Sequence, residues 1–293
     1  MDERKSQHYI LYAFGAILIW SSLAILGTKV ESVPSLLLVG VSLIVGGGLG
    51  IFKVREWKVP FKTMLIGVGG IFGYHYLIFT AYKLAPIIEV NILNYLWPLF
   101  IVFLSPFILP SFSLKRHHII GTLIGLSGAA LTITGGILEV DPQYIQGYLM
   151  AAGAALVWAT YSLMQKRVAP FSTGAVGGFC LVSGILSLVI YLAESSTAGF
   201  YSPTVSEWVS LAILGLGPMG SAFYLWDKAL KEGDPRIIGS ISYLTLLLAT
   251  LWLTLFTGEK LTTISGFGMA LLLSGSVIGS LDVLRSTQSE RLV

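Results

Sequence analysis

One helix face in the third long apolar segment of the chain carries groups that could bind a small ligand. His75, Phe79 and Tyr82 recur at i, i+4 and i+7, which places them on the same side of an α-helix. An ionisable residue in the middle of an apolar segment is a functional candidate, because its desolvation must be offset. The alternative for His75 is structural, a neutral imidazole hydrogen-bonded to a neighbouring helix.

The next apolar segment carries a second polar face, formed by Asn91, Asn94 and Pro98 at i, i+3 and i+7. Polar side chains on one face of a membrane helix point towards partner helices or a wet cavity. Pro98 has no N–H, so it leaves the carbonyl of Asn94 free to accept another hydrogen bond; Pro218 acts likewise later in the chain. We expect both prolines to kink their helices and to serve in gating, with a plain structural kink as the alternative.

Aromatic residues are abundant, with 7 Trp, 13 Tyr and 15 Phe. Many aromatic residues anchor membrane helices at the lipid interface, but Trp20, Trp97, Trp158 and Tyr243 lie too deep in their segments for that role. A buried Trp or Tyr needs a partner for its N–H or O–H group. A vestibule lined by these four side chains would suit a planar ring, or an apolar side chain on a small polar body.

The composition indicates a membrane protein. The 293 residues are 55% hydrophobic and only 11% charged, against roughly a quarter charged in soluble proteins, and the mean hydropathy is +0.81. The apolar segments have about the 20 residues needed to cross a hydrocarbon core. The ten predicted spans are 9–28, 35–53, 62–83, 87–108, 117–136, 146–167, 172–193, 207–229, 235–257 and 263–284.

The basic residues predict the orientation. If the N-terminus is cytoplasmic, all of the 18 Lys and Arg residues except Lys29, Lys83 and Lys260 fall in cytoplasmic segments. This distribution follows the positive-inside rule and places both termini in the cytoplasm. The net charge of +3 therefore reflects topology and does not indicate nucleic acid binding.

The chain contains an internal repeat. Residues 15–20 (GAILIW) match residues 153–158 (GAALVW), and Tyr76 and Tyr95 match Tyr224 and Tyr243 at a shift of 148. Five segments per copy is an odd number, so the second copy enters the membrane from the opposite side. Inverted repeats of this kind build secondary transporters.

These observations predict an all-α polytopic membrane protein. Its ten transmembrane helices would form two inverted five-helix repeats around a central cavity, the first at 9–136 and the second at 146–284.

Catalytic groups are scarce in the predicted spans. No carboxylate lies near the centre of a span, which argues against a proton/drug antiporter with a buried acid. Among the four histidines only His75 is deep, so no metal cluster is expected, and no nucleophile and base pair is evident. We expect no cofactor, no metal and no enzymatic activity.

The run of residues 89–98, EVNILNYLWP, gives the segments a family resemblance. Over about residues 10–283 the chain resembles the drug/metabolite transporter superfamily, in the branch with two EamA-type domains. The NYLWP stretch is similar to the YddG-type aromatic amino acid exporters. The resemblance implies export of phenylalanine, tyrosine and tryptophan, often with other amino acids, across a bacterial inner (plasma) membrane.

The residues and the resemblance together predict an amino acid exporter that works by alternating access. A zwitterion needs donors, acceptors and a slot for its side chain, but no buried counter-charge, so we expect uniport by a monomer in the lipid bilayer. One alternative is proton-coupled export of other metabolites or drugs, with His75 as the coupling group. A remote alternative is an intramembrane enzyme.

Overall fold

The computed structural model describes residues 8–138, 140–257 and 262–282, apart from the side chains at positions 197 and 198. Within these ranges all regular structure is helical. The helices of the first half are α1 (His8–Ser21), α2 (Leu23–Thr28), α3 (Ser35–Gly48), α4 (Phe61–Leu84), α5 (Ile87–Asn94), α6 (Leu96–Ile108) and α7 (Arg116–Thr134). Those of the second half are α8 (Ile145–Arg167), α9 (Ala175–Ala198), α10 (Val205–Leu216), α11 (Ala222–Glu232), α12 (Pro235–Ile241), α13 (Leu244–Thr257) and α14 (Thr263–Gly279).

The outer surface of this bundle is apolar. Large side chains such as Leu11, Phe61 and Phe107 project outwards and are exposed. Such a surface suits lipid, where a backbone must satisfy its hydrogen bonds internally, as these helices do. Eight segments of the described chain are long and apolar enough to cross a membrane: His8–Thr28, Phe61–Leu84, Ile87–Ile108, Arg116–Thr134, Pro142–Arg167, Ala175–Ser196, Val205–Glu232 and Pro235–Phe256.

Two predicted spans correspond to shorter helices. The span predicted at 35–53 is the 14-residue α3, after which the chain bends by 92° into a 3₁₀ helix, Ile51–Trp57. The end of α3 packs too closely on the second half for a side chain, since a Cβ at Gly46 would lie 2.3 Å from the carbonyl oxygen of Met219. The span predicted at 263–284 is the 17-residue α14, and residues 283–284 lie outside the described ranges.

Several long segments are broken near their middle. The α1–α2 segment breaks at Ser22, the α5–α6 segment at Tyr95 and the α12–α13 segment at residues 242–243. Between α10 and α11 the chain forms a π-helical turn, Gly217–Ser221, with Pro218 in its first turn. Breaks of this kind expose backbone carbonyls to side chains, which membrane proteins tolerate where the backbone is buried in protein or lines a cavity.

Helix pairs from the two halves pack together. α7 lies along α14, α3 along α9, α4 along α8, and α1 along α11. The α7–α14 contact is close enough that a Cβ at Gly121 would lie 2.3 Å from the backbone nitrogen of Gly279. Small residues allow such approach and gain dispersion energy between backbones. The halves therefore form one bundle, with a cavity where the broken segments meet.

Candidate binding cavity

A cavity of about 590 Å³ lies between the two halves and opens towards the α2–α3 loop. Its volume is within the range of roughly 300–1,000 Å³ typical of small-molecule sites. Gly27, Val30 and Glu31 form its rim, and Thr245, Ala249 and Leu253 of α13 form one wall. The opposite wall comes from α4 and α5.

Aromatic rings form the floor of the cavity. Trp20, Trp97, Trp158 and Phe223 line it, and Trp226 lies beneath them, 1% exposed. Trp226 is 5.1 Å from Trp20 and 5.6 Å from Trp97 between ring centroids. Edge-to-face and tilted pairs at these distances are the arrangements that aromatic quadrupoles favour. This aromatic floor separates the open end of the cavity from the other end of the bundle.

Hydrogen bonds fix two of these indoles. The Nε1–H of Trp20 donates to the carbonyl of Pro218 at 3.0 Å, inside the π-helical turn. The Nε1–H of Trp226 donates to the hydroxyl of Ser162 at 3.0 Å. The broken helix therefore supplies an acceptor that a regular helix would have used, and the floor is held in one geometry.

The α4 wall places the imidazole of His75 beside the floor. His75 is buried, and its Nδ1 lies 2.7 Å from the carbonyl of Ile71 one turn earlier. A carbonyl only accepts, so Nδ1 carries the proton and donates. In the neutral ring Nε2 is then the acceptor. His75 rests against Tyr74 and Phe223, whose ring centroids are 5.0 and 6.1 Å away.

Amide and hydroxyl groups continue this polar wall. The hydroxyl of Tyr82 donates to Oδ1 of Asn91 at 2.7 Å, and Nδ2 of Asn94 donates to the hydroxyl of Tyr74 at 3.3 Å. Oδ1 of Asn94 and Oγ1 of Thr245 are buried without a hydrogen-bond partner among the described residues. Unpaired buried polar atoms are uncommon. In the wall of a cavity they are available to a ligand.

Eight of the ten residues that the sequence suggested for binding or gating line this cavity. They are Trp20, His75, Phe79, Tyr82, Asn94, Trp97, Trp158 and Pro218. Tyr243 and Pro98 lie elsewhere. Tyr243 is fully buried between α7 and α14, against Gly125, and its hydroxyl donates to the carbonyl of Tyr95 at 3.3 Å. Pro98 is buried within α6, with its carbonyl turned towards Gly239.

The wall residues that were not identified from the sequence include Tyr74, Phe223 and Thr245. The repeat contained a signal for two of them. At the shift of 148, Phe223 is the counterpart of His75, and Thr245 is the counterpart of Trp97. Tyr74 had no such signal, since it immediately precedes His75 and does not share the helix face of His75, Phe79 and Tyr82.

Most charged side chains of the described residues lie away from the cavity. Among the described lining residues, Glu31 at the exposed rim is the one Asp, Glu, Lys or Arg. At the opposite, sealed end, the ammonium of Lys166 donates to the carbonyls of Leu230, Lys231 and Gly233 at 3.1, 3.0 and 2.7 Å. These carbonyls end α11, and a cation is favourable at a helix C-terminus. The cavity interior is therefore polar but uncharged.

A bundle of long apolar helices around a central cavity, open at one end and sealed at the other, defines a multi-pass membrane protein of the transporter class. The EamA-like transporter family matches the chain twice, over residues 7–134 and 145–281. The chain belongs to this family, and the resemblance predicted from its sequence is confirmed.

Named relatives extend over most of the chain. An aromatic amino acid exporter, YddG, of Ancylobacter novellus is 36% identical over 280 residues, covering 92% of this chain and 96% of the relative. The YddG aromatic amino acid exporter of Salmonella typhimurium is 26% identical over 65% of this chain and 66% of its own length. A solved crystal structure at 36% identity covers 96% of this chain and 99% of its own, with a TM-score of 0.90.

Proposed function

We propose that this transporter exports amino acids, with the aromatic ones favoured. The observation that carries the proposal is the combination in one cavity of an aromatic floor and a wall of uncharged donors and acceptors. An aromatic amino acid has the same two parts, a planar ring and a small zwitterionic body. The name of the Ancylobacter novellus relative supports the same substrate class.

The cavity suggests how such a substrate would bind. Its ring would rest on Trp20 and Trp158, with offset or edge contacts. Its ammonium would donate to Nε2 of His75 and Oδ1 of Asn94, which have lone pairs facing no other described donor. Its carboxylate would accept from the hydroxyl of Tyr74, which receives a hydrogen bond from Asn94 and keeps its own proton to donate.

Alternating access between inverted repeats is the transport mechanism that we propose. The repeats would be 9–136 and 146–284, with α3 and α14 as two short additional crossings to complete ten. The packing pattern supports this, because α4 packs on α8 as its counterpart α11 packs on α1, and α6 packs on α8 as α13 packs on α1. Exchanging the conformations of two such halves would move the opening from one end of the cavity to the other.

The proposed orientation places both termini in the cytoplasm of a bacterial cell and the open end of the cavity outside. Lys166, Lys231 and Arg236 lie at the sealed end, which supports that end as the cytoplasmic one. Arg4, Lys5, Lys260, Arg285 and Arg291, which also entered the prediction, lie outside the described residues. Each monomer would transport independently, because the cavity is formed within one chain.

The chemistry of the cavity wall supports uniport as the transport mode that we propose. The described wall has no carboxylate apart from Glu31 at the rim, and Nδ1 of His75 already donates to the carbonyl of Ile71. A coupled carrier needs a group whose charge changes with substrate binding. Proton-coupled export of another metabolite or drug, through His75, is the alternative that the same cavity would allow, and an intramembrane enzyme is the remote one.

Counterflow in proteoliposomes tests the proposed function. Labelled phenylalanine, labelled threonine and a cationic dye are compared, each with and without an imposed pH gradient. We expect phenylalanine to exchange fastest and to reach the same level with and without the gradient. Accumulation of the dye driven by pH, without exchange of phenylalanine, would contradict the proposal and favour the drug exporter.

A further inference from the structure

The side-chain amide of Gln165, near the end of α8, is buried on the sealed side of the cavity floor and has no hydrogen-bond partner among the described residues. The residue is 4% exposed, and neither its Nε2 nor its Oε1 has a hydrogen-bond partner among the described residues. Buried side-chain amides are nearly always paired, because an unpaired amide loses its hydration and gains nothing in return. An amide with both atoms unpaired therefore calls for a physical reason.

The position of Gln165 in α8 places it below the substrate cavity. It follows Trp158 by seven residues, so it lies on nearly the same helix face, about 10 Å further towards the sealed end. Ser162 lies between them and is paired with Trp226. α8 packs against α6 and α11 in this part of the bundle. Gln165 is thus the next polar group after Ser162 on the α8 face that carries Trp158.

The two ammonium groups nearest to this amide at the sealed end are both paired. Lys166 donates to three carbonyls at the end of α11, and Lys231 donates to Asp227 at 2.7 Å and to the carbonyl of Phe171 at 3.0 Å. The arrangement at this end is therefore ordered and closed. Asp227 also has one buried oxygen, Oδ1, without a hydrogen-bond partner among the described residues, but its Oδ2 is paired with Lys231. Gln165 differs in that both atoms of its amide are unpaired, which is expected of a group whose partners are present only in another conformation.

We propose that Gln165 belongs to the transport path and is satisfied when the sealed end opens. In the state with the cavity open towards the α2–α3 loop, its amide is dry and unpaired. In the opposite state it is hydrated and hydrogen-bonds the polar body of the amino acid that enters or leaves. The unpaired amide thereby weakens the closed arrangement and keeps the two states close in free energy. This inference rests on the proposed alternating-access cycle.

Replacement by leucine separates this role from a structural one. Gln165→Leu keeps the side-chain size and removes the unpaired amide, so it stabilises the closed sealed end. Met164→Leu, one position earlier, is the matched control. Gln165→Asn keeps an amide and has an intermediate effect.

The reporter is a single cysteine, Leu104→Cys, in a chain whose only cysteine is changed by Cys180→Ala. Leu104 follows Trp97 by seven residues and occupies on α6 the position that Gln165 occupies on α8. Labelling by an impermeant thiol reagent is measured from the sealed-end side in oriented membrane vesicles, together with labelled phenylalanine exchange and the melting temperature.

We expect Gln165→Leu to slow labelling of Leu104→Cys by about fivefold or more, the factor that corresponds to about one unmade hydrogen bond. Phenylalanine exchange slows with it, the melting temperature does not fall, and Met164→Leu changes none of these. Unchanged labelling in Gln165→Leu would overturn the inference, as would a lower melting temperature or a parent reporter that never labels. A parent chain that labels normally but exchanges no amino acid contradicts the proposed function and leaves the labelling test of Gln165 intact.

Discussion

The two halves of the chain contribute different chemistry to the same cavity. At the repeat shift of 148 residues, His75 corresponds to Phe223, and Trp97 corresponds to Thr245. All four line the cavity. The first half thus supplies an imidazole where the second supplies a phenyl ring, and an indole where the second supplies a hydroxyl.

The amide groups show the same asymmetry. Asn91 and Asn94 of α5 line the cavity, whereas their counterparts, Gly239 of α12 and Ser242 directly after it, do not. Gly239 packs against Val102 of α6. The repeated scaffold therefore places equivalent positions around one cavity, and substitutions within it concentrate the polar groups on one side. A zwitterion bound there would be oriented, with its body towards α4 and α5.

The proposed inversion of the two halves can be tested by cysteine labelling, which gives an all-or-none result at each position. In a Cys180→Ala background, cysteine at Gln143, beside the capping residue Asp141, should react with an impermeant thiol reagent applied to intact cells. Cysteine at Ser113, beside Lys115, should react only after the membrane is opened. Both positions are exposed. Labelling of both from one side would contradict an odd number of crossings between them and the proposed inversion.

Among the substitutions in the cavity, those in the aromatic floor should reduce transport the most. Trp158→Ala and Trp97→Ala each remove a ring that lines the cavity, and we expect phenylalanine exchange to fall by about tenfold or more, as for a buried aromatic contact residue. Trp208→Ala is the control, because Trp208 is 47% exposed on the bundle surface. Exchange is measured at equal amounts of reconstituted protein. Equal rates in the three variants would remove the floor from the proposed site.

The helical membrane fold could be predicted from the sequence because apolar length and charge distribution act on whole segments. Helix periodicity was also sufficient to place His75, Phe79 and Tyr82 on one wall. The same reasoning was not sufficient for Tyr243. That residue lies at the break between α12 and α13, and the break turns its ring towards Gly125. The direction of a side chain at a helix break depends on tertiary packing.

The missed residue Tyr74 illustrates a second limit. Consecutive residues on a helix point about 100° apart, so helix periodicity does not place Tyr74 on the face of His75. The cavity wraps around α4 widely enough to contact both. Similarly, the sequence did not predict that α3 would end at Gly48, because the 92° bend that follows depends on contacts with the second half.

The asymmetry between His75 and Phe223 can be tested by making the two positions alike. His75→Phe removes the acceptor Nε2, and we expect exchange to fall by about five- to tenfold, the factor for the net contribution of one hydrogen bond of about 1 to 1.4 kcal/mol. His75→Gln retains hydrogen bonding and should retain much of the activity; Phe223→Leu serves as the control for packing. Counterflow is measured with and without a pH gradient. Accumulation that is driven by pH and lost in His75→Gln would show that His75 couples protons.

The smallest expected effect, on thermal stability, concerns the contact between the start of α7 and the end of α14, where the two halves meet. Lys115 donates to both carboxylate oxygens of Asp282 at 3.0 Å, and His117 and His118 lie 3.4 Å from the same carboxylate. Asp282 follows the C-terminal end of α14, whereas the N-terminal end of that helix is capped by the neutral Thr262. Partial burial alone would raise the pKa of Asp282, but the hydrogen bond and charge of Lys115, with the two histidines, hold it below its usual value.

A lowered carboxyl pKa means that this contact stabilises the folded protein above the unfolded pKa of about 4 and is lost as the pH falls through the lower folded value. Lys115 is 53% exposed, so solvent screening should limit the coupling between Lys115→Met and Asp282→Asn to less than about 1 kcal/mol. A double-mutant cycle of thermal unfolding in detergent measures it at pH 7 and at pH 3. We expect a small coupling at pH 7 that is smaller at pH 3, because part of the contribution of the ionised carboxylate is lost below the unfolded pKa. Coupling of the same size at both pH values would show that charge does not join these helix ends.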